Sequence, residues 1–311
     1  LATATLGREG EKAYNDRCAP YLSRDYSSLR SNDIWTTDQR QVDVRLRDGG
    51  NRLGRIWTVS FMDIASERII GCAFGTFLSS DLVMLAATMA LGRAGIPRAI
   101  QMDLGKEFNC TAFNGSYRKL SGETLYRDAV GLWERLGVQV VKAIGRNPQT
   151  KPIERWHRII GDRFDRRFPG WCGSNTSERP EKLKAEEAQH TAWLRGESPS
   201  TPLVVIGDYV KTFFHWLDAD ANGWNLGARG KGKIRRGMTP FEAWNAKRPV
   251  EGLKTISDSD LQIATADHRF IKVARGGQVN LTWFGQTVEY VAPELLLLVG
   301  EEVEAIVSRW A

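Results

Sequence analysis

The sequence predicts an α/β domain built on a mixed sheet, followed by a small all-β unit. Three observations carry this reading. Between Ile34 and Phe74 three strand-like runs follow one another with turn residues between them, the order of a sequential antiparallel meander. Two short apolar-rich runs, 98–102 and 138–141, each come after a helical pattern, as parallel strands reached by crossovers do. Beyond Arg269, four short runs recur at turn-separated intervals, the pattern of a small antiparallel barrel. At 311 residues, 42% hydrophobic and 26% charged, the chain is long enough for two folded units of ordinary composition. The predicted division is a lead-in over 1–30, an α/β domain over 31–220, a basic connector and helix over 221–257, and the β-barrel over 258–311.

Residues 1–30 carry scattered charge with little periodicity, and the Leu1 start reads as a fragment of something longer. From Ile34, Trp35, Val42, Val44 and Leu46 interleave with polar residues as far as a turn at Asp48-Gly49-Gly50-Asn51. A second strand is predicted over 55–63 and a third over 68–74. Ser79-Ser80-Asp81 supplies a cap and early negative charge for a helix over 82–93, and Gly95-Ile96-Pro97 stops it. A buried strand over 98–102 follows. Leu125, Ala129, Leu132, Trp133 and Leu136 lie at helical spacing, which predicts a helix over 124–136 ended by Gly137, then a strand over 138–141. Pro152 suits the first turn of the next helix. Residues 172–200 are polar and read as a mobile excursion, 204–217 as a helix, and 223–237, with Arg229, Lys231, Lys233, Arg235 and Arg236 among glycines, as a flexible cationic connector.

A net charge of +6 and a pI near 9.2 favour a polyanionic partner. Cys18, Cys72, Cys110 and Cys172 are dispersed, and His157, His190, His215 and His268 lack ligand spacing, so neither a zinc site nor a disulfide framework is indicated. The simplest home is a reducing cytoplasm. No run reaches the ~18 apolar residues needed to cross a bilayer, so no membrane role is expected. No phosphate-cradling glycine loop follows the first strand, which disfavours a small-molecule nucleotide enzyme.

The candidate chemistry lies in three carboxylates: Asp38 in the first strand, Asp103 at the end of the strand after the crossover helix, and Glu154 near a helix N-terminus. So widely separated a set converges only through a fold, and carboxylate oxygens are the hard ligands Mg²⁺ prefers. Each also has a bland reading. Asp103-Leu104-Gly105 fits a cap and turn, Glu154 is a favourable first-turn charge, and Asp38 would be tolerated on an exposed strand face. Asp63 competes with Asp38 for the first position and is otherwise a supporting or turn residue near the site. Lys151, Arg155 and Arg158, with Lys231, Lys233, Arg235 and Arg236 of the connector, are candidate phosphate contacts.

Three stretches carry a family resemblance: Trp35-Thr36-Thr37-Asp38, the run 57–71 containing Met62-Asp63-Ile64-Ala65-Ser66-Glu67-Arg68, and Lys151-Pro152-Ile153-Glu154-Arg155. In these the chain resembles the catalytic core of phage Mu-like DDE transposases, within the retroviral-integrase-like superfamily. The resemblance implies an RNase H-like fold with a mixed five-stranded sheet and flanking helices, and Asp38, Asp103 and Glu154 as the metal-binding catalytic triad. It further implies two Mg²⁺ ions, replaceable by Mn²⁺, cleavage at the 3′ ends of a mobile element or phage genome, and joining to target DNA by transesterification. Asp63 would be an acidic position beside the site, and the final strands a barrel binding DNA without sequence preference, truncated at Ala311. The implied partners are DNA, further copies of the chain on DNA, and an AAA+ target-selection ATPase and an unfoldase whose binding tail the sequence lacks. Two rivals are kept: a hydrolysis-only nuclease and a catalytically inactive DNA-binding protein on the same scaffold.

Overall fold

The computed structural model describes residues 7, 8, 10, 26–102, 105–108, 110–119, 125–142, 152–283 and 286–308. Its centre is a five-stranded mixed sheet. The first strand, β1 (Ile34–Gln41), is followed by the short pair β2 (Leu46–Arg47) and β3 (Leu53–Gly54), then β4 (Trp57–Asp63) and β5 (Arg68–Gly75). Helix α1 (Ser80–Ala94) crosses to β6 (Ala99–Met102). After α2 (Thr111–Asn114), the pair β7 (Ser116–Lys119) and β8 (Leu125–Ala129) and the single turn α3 (Leu132–Arg135), the chain enters β9 (Gln139–Lys142). The order across the sheet is β5-β4-β1-β6-β9; β4 is antiparallel to both β5 and β1, whereas β1, β6 and β9 run parallel. This is the mixed five-stranded sheet with flanking helices of the RNase H-like fold.

Strand alternation sends side chains to two cores. Trp35, Val59, Phe61 and Ile70 face α1, which buries Val83, Ala86, Ala87, Ala90 and Leu91 against them. Met62, Ile69 and Cys72 face the other way, onto α4 (Pro152–Arg163) and α6 (Ile206–Asp218), whose Ile153, Trp156, Ile160, Tyr209, Phe213 and Trp216 complete the second core. Helix α1 starts where its cap residues predict: the Ser79 side chain accepts from the Leu82 amide and Gly95 ends the helix at φ 79°. It lies very close to the sheet, because a Cβ on Gly71 would sit 2.4 Å from the Ala86 carbonyl oxygen.

Several expectations are corrected. The helix predicted over 124–136 is, where described, the strand β8 paired with β7 and then the single turn α3. Gly131 is the break: it is extended (φ −74°, ψ 162°), and a Cβ there would lie 2.2 Å from the Phe113 carbonyl oxygen. Residues 172–200 are no excursion, since α5 (Lys182–Leu194) buries Leu183 and His190, with the His190 ring bonded to Thr201 and to the Asn51 carbonyl. Polar helix formers there disguise a docked helix as a loop.

The connector is likewise folded. Helix α7 (Trp224–Gly227) buries Trp224 in the second core, and α8 (Pro240–Ala246), opened by a Thr239–Glu242 capping box, sends Trp244 into the first. Helix α9 (Asp258–Thr265) places Ala264 in the first core, so that core includes residues of the segment 258–311. The final strands, β10 (Asp267–Lys272), β11 (Gln278–Trp283), β12 (Gln286–Val291) and β13 (Glu302–Val307), form two antiparallel pairs, β10–β13 and β11–β12. They agree with the small all-β unit expected, and among the described residues they pair as two two-stranded sheets.

Candidate active site

Asp38 lies in the middle of β1, opposite Ser60 of β4. It shares its face with Thr36 and Arg40, the side covered by α4. The helix turns Ile153, Trp156 and Ile160 inward at helical spacing and leaves Glu154, Arg155 and Arg158 exposed. Trp156 pins it to the sheet by donating from Nε1 to Ser60 Oγ at 3.4 Å, so the helix is tied to the residue opposite Asp38. His157, one turn after Glu154, brings Nδ1 to 3.9 Å from Asp38 Oδ2; both side chains are nearly enclosed, at 13% and 15% exposure. Asp38 is thereby close to the helix that bears Glu154.

Asp103 and Lys151 lie outside the described residues. Strand β6 is described as far as Met102. Its pairing with β1 has a constant offset of 65 residues, from Ile34 opposite Ala99 to Thr36 opposite Gln101.

Asp63 is placed elsewhere. It pairs with Trp35, three residues up β1 from Asp38, and alternation puts the two carboxylates on opposite faces of the sheet. It is fully buried, accepting from the Asn32 amide (3.0 Å), the Ser66 amide (2.9 Å) and Ser66 Oγ (2.6 Å). Burial pushes its pKa up to about 6 against the lowering effect of those donors. The expectation of a supporting residue beside the site gives way to that of a turn residue organising the β4–β5 connection.

Arg40, two residues beyond Asp38 on the same face, was not singled out by the sequence. One arm of its guanidinium donates to the His157 carbonyl at 2.8 Å. The other reaches Asp43 at 3.2 Å and Asp165 at closer range. Asp165 is fully buried and also accepts from Tyr209 Oη (2.6 Å) and the Asp43 amide (3.2 Å). Arg55 adds a 2.6 Å bond to Asp43. Burial would lower the Arg40 pKa, but Asp165 and Asp43 hold it above the ordinary value. Burial and the Asp165 charge push the Tyr209 phenol well above its usual pKa, so it remains a donor. An open cavity of about 360 Å³ next to this network is lined by Arg40, Arg55, His157, Arg158 and Asp162 among others. His157 had a legible signal, a titratable side chain three residues after Glu154 on one helix. Arg40 had none, because His157 and Asp165 are distant from it in sequence.

The cationic candidates divide. Arg155, Arg158, Lys231, Lys233 and Arg236 are exposed. Arg235 is not: it is 2% exposed, donates to Glu67 Oε2 at 2.6 Å and to the Ala228 carbonyl, and lies 5.1 Å over the Trp224 ring. Its pKa is lowered by burial despite Glu67. Its expected DNA contact is therefore replaced by a structural role. The expected DNA-binding role of 258–311 also meets an obstacle, because that segment holds eight acidic and four basic residues. The basic excess of the chain lies wholly in 1–257.

Among the described residues, no three His, Cys, Asp or Glu side chains gather as a metal-holding group. Carboxylate oxygens such as those of Asp38 and Glu154 are donors that suit a hard divalent ion. No helix among the described residues is long and apolar enough to cross a membrane.

No protein-family model matches the chain, and no curated protein does. Among solved structures it is similar to the HTLV-2 integrase catalytic core domain in complex with magnesium, in its dimeric form, at 12% identity and a TM-score of 0.37, over 70% of this chain and 97% of that one. It is similar to the simian T-cell lymphotropic virus intasome in complex with PP2A regulatory subunit B56 gamma at 10% identity and a TM-score of 0.41, over 93% and 95%. The catalytic core domain of BIV integrase gives 14% identity and a TM-score of 0.34, over 69% and 95%.

Proposed function

We propose that the chain is a metal-dependent polynucleotidyl transferase, and more specifically a transposase core that joins DNA 3′ ends to target DNA. The observation that carries this reading is the placement of Asp38 at mid-sheet against the helix bearing Glu154. The β1–β6 offset of 65 residues is also the separation of Asp38 and Asp103. Asp38, Asp103 and Glu154 then hold divalent ions. When bound, Mg²⁺ or Mn²⁺ neutralises charge developing on phosphate oxygens and activates the attacking hydroxyl. Arg155 and Arg158 flank Glu154 on the exposed side of α4, where cations suit a phosphate backbone. Lys231, Lys233 and Arg236 extend that set if the substrate passes α7.

The test supplies a duplex with a free 3′-hydroxyl, a target plasmid and Mn²⁺ or Mg²⁺. The unaltered chain is expected to form a joined product, and Asp38→Asn, Asp103→Asn and Glu154→Gln each to reduce it by at least about 100-fold. DNA affinity should remain largely intact. Cleavage without joining would restrict the activity to hydrolysis, and full joining by all three variants would remove the proposal.

A further inference from the structure

We infer that Arg40 is a positioning residue that fixes the separation of Asp38 from Glu154, acting through the His157 carbonyl; this rests on the metal reading above. Helix α4 packs its apolar side chains on the β4 and β5 side of the sheet and on α6, and non-directional packing alone permits small sliding of a helix along a sheet. The guanidinium adds direction. It leaves β1 two residues after Asp38 and meets the backbone of α4 three residues after Glu154, bonding the strand of one carboxylate to the helix of the other. Its second arm is anchored at Asp165, just beyond the end of α4, and Asp165 is itself held by Tyr209 from α6 and by the Asp43 amide. Arg40 therefore touches α4 at mid-helix and the chain beyond its C-terminus, which constrains both translation and tilt. A buried ion pair of this kind often contributes little net stability over an apolar substitute, so its geometry is the more economical account of its presence.

A planar fork is what the arrangement needs, and lysine cannot reproduce it. The full chain, with a duplex bearing a free 3′-hydroxyl, is titrated with Mn²⁺, and binding and the half-saturating Mn²⁺ concentration for joining are recorded. Arg40→Lys is expected to weaken Mn²⁺ about 10-fold or more, with part of the rate recovered at saturating Mn²⁺. Asp63→Asn, a destabilising change on the opposite face, should leave the half-saturating concentration unchanged. A merely structural Arg40 would behave like Asp63→Asn, and a half-saturating concentration within about twofold of the unaltered chain overturns the inference. Should Arg40→Lys not fold, Tyr209→Phe loosens the anchor without removing charge; it is expected to shift Mn²⁺ dependence in the same direction, and no shift overturns the inference. Equal Mn²⁺ binding by the unaltered chain and Asp38→Asn removes the metal reading, and the Arg40 role with it.

Discussion

Asp165→Asn is the sharpest probe of the network that ties the sheet to its helices. The native carboxylate is fully buried and accepts from Arg40, the Tyr209 hydroxyl and the Asp43 amide. The amide replacement is nearly isosteric, so little volume changes. It removes the charge opposing a guanidinium that is only 10% exposed and converts one acceptor oxygen into a donor facing other donors. Removing one partner of a buried pair costs about 3–5 kcal/mol. Asp43 remains 3.2 Å from Arg40 and retains part of the attraction, which sets the expectation near the lower figure, about 3 kcal/mol. For a unit of this size that is a fall in Tm of roughly 6–12 °C. Urea denaturation followed by tryptophan fluorescence reports the change, because Trp156 and Trp216 lie in the adjoining core. Tyr209→Phe alone should cost about 1.5–3 kcal/mol, and the double variant less than the sum. A loss under about 1 kcal/mol for Asp165→Asn would refute the claim that this network holds α4 to β1.

Three further predictions concern residues away from Asp38 and Glu154. Asp63 has a folded pKa of about 6 against 3.8 in the unfolded chain, so the folded state binds the extra proton between those values. Stability is fully present below pH about 4, falls as pH rises to about 6 and is level above, a contribution of about 3 kcal/mol that Asp63→Asn should abolish when the two chains are compared by urea melts across that range. Arg235→Ala should cost about 3–5 kcal/mol by leaving Glu67 without its partner, yet leave the salt dependence of DNA binding unchanged. Replacing exposed Lys231 and Lys233 should instead flatten that dependence by about one unit for each phosphate no longer neutralised, while stability holds.

The sheet was legible in the sequence because its strands carry their own punctuation: alternation from Ile34, the Ser79 cap, and the stop at Gly95-Ile96-Pro97. The mid-strand position of Asp38 was legible for a related reason, since a carboxylate inside a strand goes against the usual preference, and its role as a ligand is part of the proposal. What failed were segments whose local pattern is set by distant contacts. Leu125 to Leu136 has helical spacing, yet Gly131 must pass the Phe113 backbone, and Leu125–Ala129 pairs with β7 as a strand before the single turn α3. The glycines and cations of 223–237 look like a free linker until Arg235 is seen stacked on Trp224 against Glu67, 168 residues away in sequence. The Arg40 to Asp165 contact spans 125 residues and has no local signature. Asp63 resembles a ligand competitor because it ends a strand run, and only the pairing with Trp35 reveals that it faces the other core.

The central claim is that Asp38 and Glu154 hold a divalent ion between β1 and α4. A Mn²⁺-soaked crystal, with the anomalous signal used to locate the metal, tests it most directly. Metal coordinated by Asp38 and Glu154, with Asp103 completing the set, is the predicted result; Mn²⁺ bound elsewhere, or absent from this site when a DNA end is present, would contradict the account.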